Sequence, residues 1–259
     1  MQIIDYNDFV RRIKKCCKRI IMKSNAIRSQ DKVPGQGDNA AAQKSELTTM
    51  TQDKWTVRVK SLSERDRRRM LMHFLALPEA DRMLRFGMIM SDEMITRYVQ
   101  RLDFMRDTIF GVLDDNFQMV GVGHLAFAPR DARPALIEAT EKERLAEFGV
   151  SVSPSARGMG AGSKLFQRAA IHCRNADIDT LAMHCLATNQ VMIRIAKKAG
   201  MEIHRDYGEA DAYLKLTPAD GSSMMREAVD EQIATFDYTF KANLRAATKW
   251  LSGLTNPQI

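Results

Sequence analysis

The stretch Val150-Ser-Val-Ser-Pro-Ser-Ala-Arg-Gly-Met-Gly-Ala-Gly-Ser163 decides how this chain is read. A strand pattern runs into a glycine-rich turn, and a helical pattern starts there, from about Gly160 to Arg174. The first N–H groups of such a helix have no backbone partner. They lie at the positive end of the helix dipole. A pyrophosphate fits that set of donors. Gly158, Gly160 and Gly162 let the backbone approach a ligand closely and take positive φ, and Arg157 adds charge-assisted hydrogen bonds.

Three kinds of phosphate loop share this outline. A Walker A loop needs Gly-Lys-Ser/Thr, whereas Gly162-Ser163-Lys164 has the wrong order. A dinucleotide fingerprint needs a third glycine where Ser163 stands, and an acid at the end of the next strand, where Cys185-Leu186-Ala187 has none. The remaining pattern is Arg/Gln-x-x-Gly-x-Gly/Ala. Arg157, Gly160 and Gly162 match it position for position, and through them the chain resembles the GNAT N-acetyltransferases. The resemblance extends over 56–217 in the order of elements. A partial likeness to the acetyltransferase domain of Pat-type protein lysine acetyltransferases rests on Ala146-Glu-Phe-Gly-Val150, Asn189-x-x-Met192 and Arg85-Phe86.

Outward from the loop, the pattern reads as an α/β domain over 55–218. Thr56-Val-Arg-Val-Lys60 alternates as a half-buried strand does. Ser63-x-x-Asp66 opens a helix that Pro78 closes, and Ser91 caps a second. Thr108–Leu113 and Met119–Phe127 flank Asp114-Asp115-Asn116 as a hairpin. Leu145–Val152 and Thr180–Leu186 are strands. Asn189 to Ala199 is a helix stopped by Gly200, and Met201–Arg205 and Ala210–Leu216 are the last two strands. The order predicts a mixed-direction central sheet of the GNAT type with flanking helices, followed by a C-terminal amphipathic helix.

The resemblance implies acetyl-CoA as cosubstrate. It assigns Val150, Ser151 and Val152 to the pantetheine arm, and Arg157, Gly158, Met159, Gly160, Ala161, Gly162 and Ser163 to the pyrophosphate. Asn189 is a cofactor contact, an N-cap, or both. The reaction implied is direct attack of a neutral amine on the thioester, which needs a base for the amine proton. Glu147 is the candidate: it sits in the strand beside the expected thioester, flanked by apolar Ala146 and Phe148, and burial raises a carboxyl pKa. Backbone N–H groups of the same strand would meet the oxyanion. One position departs from the family. Ala196 stands where many members place a tyrosine as general acid, leaving Tyr207, Tyr213 or water for that role. That departure keeps a second function open, a non-catalytic acetyl-CoA sensor of the same fold.

Other constellations carry less. His172-Cys173 and His184-Cys185 do not have zinc-ligand spacing. His124 allows a relay with Glu147, against a plain role in packing. Cys185 has no evident activating base.

The ends differ from the middle. Residues 1–54 carry a short cationic amphipathic pattern, Ile3 to Ile20, and then a Ser, Gln and Asn-rich stretch. They are expected to form a disordered or weakly structured basic extension. Residues 219–259 read as one helix with a cap at Ser222 or Ser223. Its stripe of Met225, Val229, Ile233, Phe236, Phe240, Leu244 and Leu251 packs either on its own domain or on a second copy, making a homodimer. The net charge of +7 favours acidic partners, a polyphosphate cofactor among them. No aromatic–basic platform points to a specific nucleic acid. No apolar run nears the roughly 20 residues of a membrane span, and the N-terminus lacks a secretory pattern. With four cysteines in no even framework, a reducing cytoplasm is expected.

Overall fold

In the computed structural model the described residues are 56–127 and 144–255, with side chains described to 248. The amphipathic segment expected within 1–54 lies outside them. The described residues from Val57 on belong to one compact unit.

A seven-stranded sheet forms its centre, in the order β1-β2-β3-β4-β5-β7-β6. The strands are β1 (Val59–Ser61), β2 (Thr108–Leu113), β3 (Met119–Phe127), β4 (Leu145–Val152), β5 (Thr180–Leu186), β6 (Glu202–Asp206) and β7 (Glu209–Lys215). All neighbours are antiparallel except β4 and β5, which run parallel. The mixed sheet predicted from the element order is therefore present. The β2–β3 turn is built by Asp114, whose Oδ1 accepts from the N–H groups of Asn116 at 2.9 Å and Gln118 at 2.8 Å. Such an Asx-type turn is why a short run of Asp and Asn suffices there.

The helices are α1 (Arg67–Leu75), α2 (Glu79–Phe86), α3 (Asp92–Gln100), α4 (Ala161–Asn175), α5 (Gln190–Lys198) and α6 (Gly221–Thr255). The starts legible in sequence hold. Asp66 accepts from the Ser63 N–H at 3.1 Å, and Ser91 Oγ accepts from the Met94 N–H at 3.3 Å. Three departures matter. The first strand begins at Val59, not Thr56. Helix α2 was not foreseen: Pro78 enters it rather than ending a segment, acids Glu79 and Asp81 occupy its first turn, and Gly87 at φ 72° stops it. That is the usual proline-before, glycine-after asymmetry. Finally, α6 is capped by Asp220, whose Oδ1 accepts from the Ser223 N–H at 2.7 Å, not by Ser222 or Ser223.

Alternation along β4 sorts the two sides of the sheet. Phe148 points to α4, where its ring meets Phe166 at 5.7 Å edge-on. Leu165 and Phe166 of α4 are buried against that side. Ser151 and Gly149 point the other way, to His73 of α1 and Arg85 of α2. Phe74, Phe86 and Tyr98 form an aromatic cluster that joins α1, α2 and α3, with Tyr98 edge-on to both phenylalanines. Glu147 shares the face of Gly149 and Ser151. Among the described residues no helix is long and apolar enough to cross a membrane.

Candidate active site

The parallel pairing of β4 with β5 covers only Leu145–Glu147 against Thr180–Ala182. Past that point β4 continues to Val152 paired with β3 alone. Its other edge is left free of strand partners and faces a cavity of about 510 Å³. Val150, Ser151 and Val152 form one wall, and the glycine-rich turn forms an end. Of the cofactor residues expected from sequence, Arg157, Gly158, Gly160, Ala161, Gly162, Ser163 and Asn189 all line this space. Met159 does not; its side chain is 52% exposed.

The turn has the conformation its glycines allow. Gly158 and Gly160 take φ of 76° and 83°, in the left-handed region. No side chain caps α4 at Gly160, so its first N–H groups remain available at the cavity. Gly162 is needed for a different reason. A Cβ there would lie 3.1 Å from Ile195 Cδ1, so its smallness lets α4 and α5 approach. Arg157 forms an ion pair with Asp81 of α2. Asn189 is both a cap and a wall: its Oδ1 accepts from the Met192 N–H at 3.2 Å, while its Nδ2 donates to the Leu84 carbonyl at 3.4 Å.

Several further lining residues were not assigned to the site from the sequence. Asp81, Leu84 and Arg85 come from α2, and Arg194 and Lys198 from α5. Arg85 is held between Gly149 and Tyr98. A Cβ on Gly149 would sit 2.7 Å from the guanidinium, and Nη2 donates to the Tyr98 hydroxyl at 3.3 Å. Its Nε is buried without a hydrogen-bond partner. The open N–H groups at the head of α4, with Arg157, Arg194 and Lys198 on the walls, suit an anionic group at this end of the cavity. The donor set therefore fits a pyrophosphate-bearing cosubstrate.

His73 braces the wall from behind. Its Nε2 lies 2.8 Å from Ser151 Oγ and its Nδ1 3.0 Å from the Met119 carbonyl. Only the Nδ1–H tautomer can donate to that carbonyl, so Ser151 donates to Nε2. Burial holds the imidazole down, with a pKa of about 4, so it is neutral near pH 7.

Glu147 stands at the last paired position of β4, partly buried and outside the cavity lining. Two other groups sense its charge. Tyr98 is raised above its ordinary value, chiefly by burial, with Asp107 and Glu147 adding to the rise. His184 is raised chiefly by its 2.6 Å contact with Asp211, and the Asp211, Glu147 and Glu209 charges add to it. His124, considered for a relay with Glu147, turns both ring nitrogens to other partners. His124 faces Gly149 across the strands. Its Nδ1 lies 3.0 Å from the Tyr98 hydroxyl and its Nε2 3.0 Å from Asp107. Tyr98, His124 and Asp107 thus make a partly buried polar chain, whose Tyr98 senses the Glu147 charge, and which sequence spacing gave no means of assembling.

The alternative acids differ in placement. Tyr207 is wholly exposed in the β6–β7 turn, Tyr213 is buried in β7, and Ala196 is 2% exposed. Burial pushes the Cys185 thiol up to about 11 and Cys173 to about 12, so neither is an acyl-carrying thiolate near neutral pH. His172 belongs to a different network, at 2.7 Å from Glu227 of α6.

Residues 79–201 match the model of the Acetyltransferase (GNAT) family. Among solved structures, the GNAT domain of S. lividans PAT is similar at 20% identity and a TM-score of 0.51, over 62% of this chain and 90% of its own. An N-acetyltransferase from Staphylococcus aureus Mu50 is similar at 16% identity and a TM-score of 0.46, over 62% of this chain and 99% of its own. A spermidine N-acetyltransferase from Vibrio cholerae, solved with CoA and spermine, is similar at 14% identity and a TM-score of 0.47, over 61% of this chain and 95% of its own. No significant match is found among curated proteins. Residues 79–201 are thus similar to the GNAT acetyltransferases, and the fold is the one seen in the S. lividans domain.

Proposed function

We propose that this chain is an acetyl-CoA-dependent N-acetyltransferase, with 55–218 as its catalytic unit and Glu147 as general base. The observation that carries the reading is the free edge of β4, which joins the glycine-rich turn at one end to Glu147 at the other. Acetyl-CoA would supply the activated acetyl group. The N–H groups at the start of α4 and the Arg157 guanidinium hold its pyrophosphate. The free edge from Val150 to Val152 pairs with the pantetheine arm as an added strand would. This arrangement brings the thioester to where β4 and β5 part, close to Glu147.

The acceptor amine must be neutral to attack. Glu147 takes its proton, directly or through one water. The nitrogen then bonds to the carbonyl carbon, N–H groups of β4 receive the developing oxyanion, and the carbon–sulfur bond breaks. The released thiolate is a fair leaving group, and it takes up, directly or through water, the second proton that the acylated nitrogen loses as it becomes an amide. The acceptor class is an amine: a protein lysine, an N-terminus or a small molecule. We place the reaction in the cytoplasm, in keeping with free thiols at Cys173 and Cys185.

The test is Glu147→Gln. Loss of a general base lowers turnover by roughly 10²–10⁴-fold, with acetyl-CoA binding retained. Candidate acceptors are first screened with the unmodified protein by following CoA release. Undiminished turnover in the variant removes Glu147 from the mechanism. A chain that binds acetyl-CoA but releases no CoA with any amine fits the sensor reading instead.

A further inference from the structure

Helix α6 lies on the domain with its polar side inward. Ser223 and Ala234 are buried, and Glu227, Glu231, Asp237, Tyr238 and Lys241 are partly buried. Glu231 accepts from Ser61 Oγ at 2.8 Å and from Arg168 at 2.8 Å. Lys241 donates to Asp115 at 2.9 Å. The apolar stripe is on the other side, in water. Met225, Val229, Ile233, Phe236, Phe240 and Leu244 are all exposed. Such an inverted helix does not bury its stripe by docking on its own domain, one of the two arrangements the sequence allowed.

The stripe is regular. Met225, Phe236 and Ala247 are eleven residues apart, as are Val229 with Phe240 and Ile233 with Leu244. A repeat of eleven, about 3.67 residues per turn, keeps a seam nearly straight along a helix and is a signature of long helices packed side by side. From Met225 to Leu244 the seam is about 30 Å long at 1.5 Å per residue. Its area is substantial. Phe236 and Phe240 are 73% and 58% exposed; at about 150–250 Å² per ring they alone leave on the order of 200 Å² uncovered. Exposed apolar patches of several hundred Å² mark interaction surfaces. Counted on two copies, the seam approaches the low end of the ~1,200–2,000 Å² of a specific interface.

Charge selects the occupant. Between Met225 and Ala247 the exposed charges are Arg226, Asp230 and Arg245, the last donating to the Asn116 carbonyl at 2.7 Å, and Gln232, Thr235, Thr239 and Asn243 fill the remaining flanks. An anionic membrane surface calls for a flank rich in Lys and Arg, which is missing here. The cationic segment Arg11 to Arg19 of the same chain calls for an acidic one, and Asp230 alone does not supply it. A second copy of α6 meets neither a like-charge barrier nor an unpaired charge. We infer that the exposed seam of α6 is a homodimer interface, formed by pairing with the same seam of a second copy.

The experiment is sedimentation velocity on the full chain with reductant, so that cysteines cannot link copies, comparing the protein with its Phe236→Asp/Phe240→Asp variant. Both positions are exposed, so the variant keeps its far-UV circular dichroism. The unmodified chain is expected to sediment as two copies. The variant's dimer dissociation constant rises about 30-fold or more, as hot-spot losses do. A monomeric unmodified chain, or a dimer unmoved by the variant, overturns the inference. So does a monomer that binds phosphatidylserine vesicles through this stripe.

Discussion

Arg157 in the glycine-rich turn is ion-paired with Asp81 of α2 at the edge of the cavity. The arginine expected to hold the pyrophosphate therefore already has an anion beside it. Binding must exchange one anion for the other, and the remaining Asp81 charge opposes the newcomer.

The first prediction concerns that exchange. Asp81→Asn tightens CoA binding up to about 5-fold, since a half-exposed pair of this kind is worth about 1 kcal/mol or less. The gain shrinks as salt screens the charges. Calorimetric titration at two salt concentrations measures it. Weaker binding in the variant would mean that Asp81 positions Arg157 rather than competing for it.

His73 gives a pH signature. Its folded pKa of about 4 lies below the ordinary 6.5. The unfolded chain therefore binds the extra proton first. The stabilisation is fully present above pH 6.5 and is lost as pH falls from 6.5 to about 4. At full extent it is on the order of 3 kcal/mol. Denaturant unfolding followed across that window should show a steeper loss in the unmodified protein than in His73→Gln. Parallel profiles would place the proton elsewhere.

Much of this architecture was legible in the sequence, for reasons visible in particular residues. The glycine-rich turn announced itself because Gly158 and Gly160 need a backbone that other residues avoid. Strands β4 and β5 were read to their ends because each is a short run of mostly buried residues between turn and helix signals. Two failures have physical causes as well. Helix α2 is only eight residues long and its proline was read as an end rather than an entrance, so Asp81 went unnoticed and Arg85 was noted without a place in the site. The direction in which α6 faces is set by pair contacts, such as Arg168 with Glu227 and Glu231. A hydrophobic stripe gives no sign that its polar side will be the one bound. The Tyr98–His124–Asp107 chain joins three separate elements, which spacing cannot bring together.

Ala196 marks where the family pattern has a tyrosine. It is 2% exposed and packed in α5. Restoring the tyrosine therefore overpacks the site, and Ala196→Tyr destabilises the fold by roughly 1–3 kcal/mol without raising turnover. Thermal unfolding and steady-state rates check both halves. A stable, faster variant would show that an acid at this position is what the chain lacks.

Gly160 tests the loop backbone alone. Its φ of 83° is unfavourable for any side chain, yet a Cβ there meets nothing within 4 Å. Gly160→Ala should therefore cost about 1–2 kcal/mol from conformation and weaken CoA binding by moving the donors at the head of α4. An unchanged affinity with lowered stability would separate the loop's shape from its role in binding.

What occupies the cavity along β4 decides whether acetyl-CoA is the cosubstrate. The direct measurement is isothermal titration of the full chain with acetyl-CoA, CoA, NAD and ATP, repeated with Arg157→Ala. Saturable binding of acetyl-CoA and CoA, weakened in the variant and with no comparable binding of NAD or ATP, is the predicted result. Failure to bind either CoA species, or tighter binding of NAD, would contradict it.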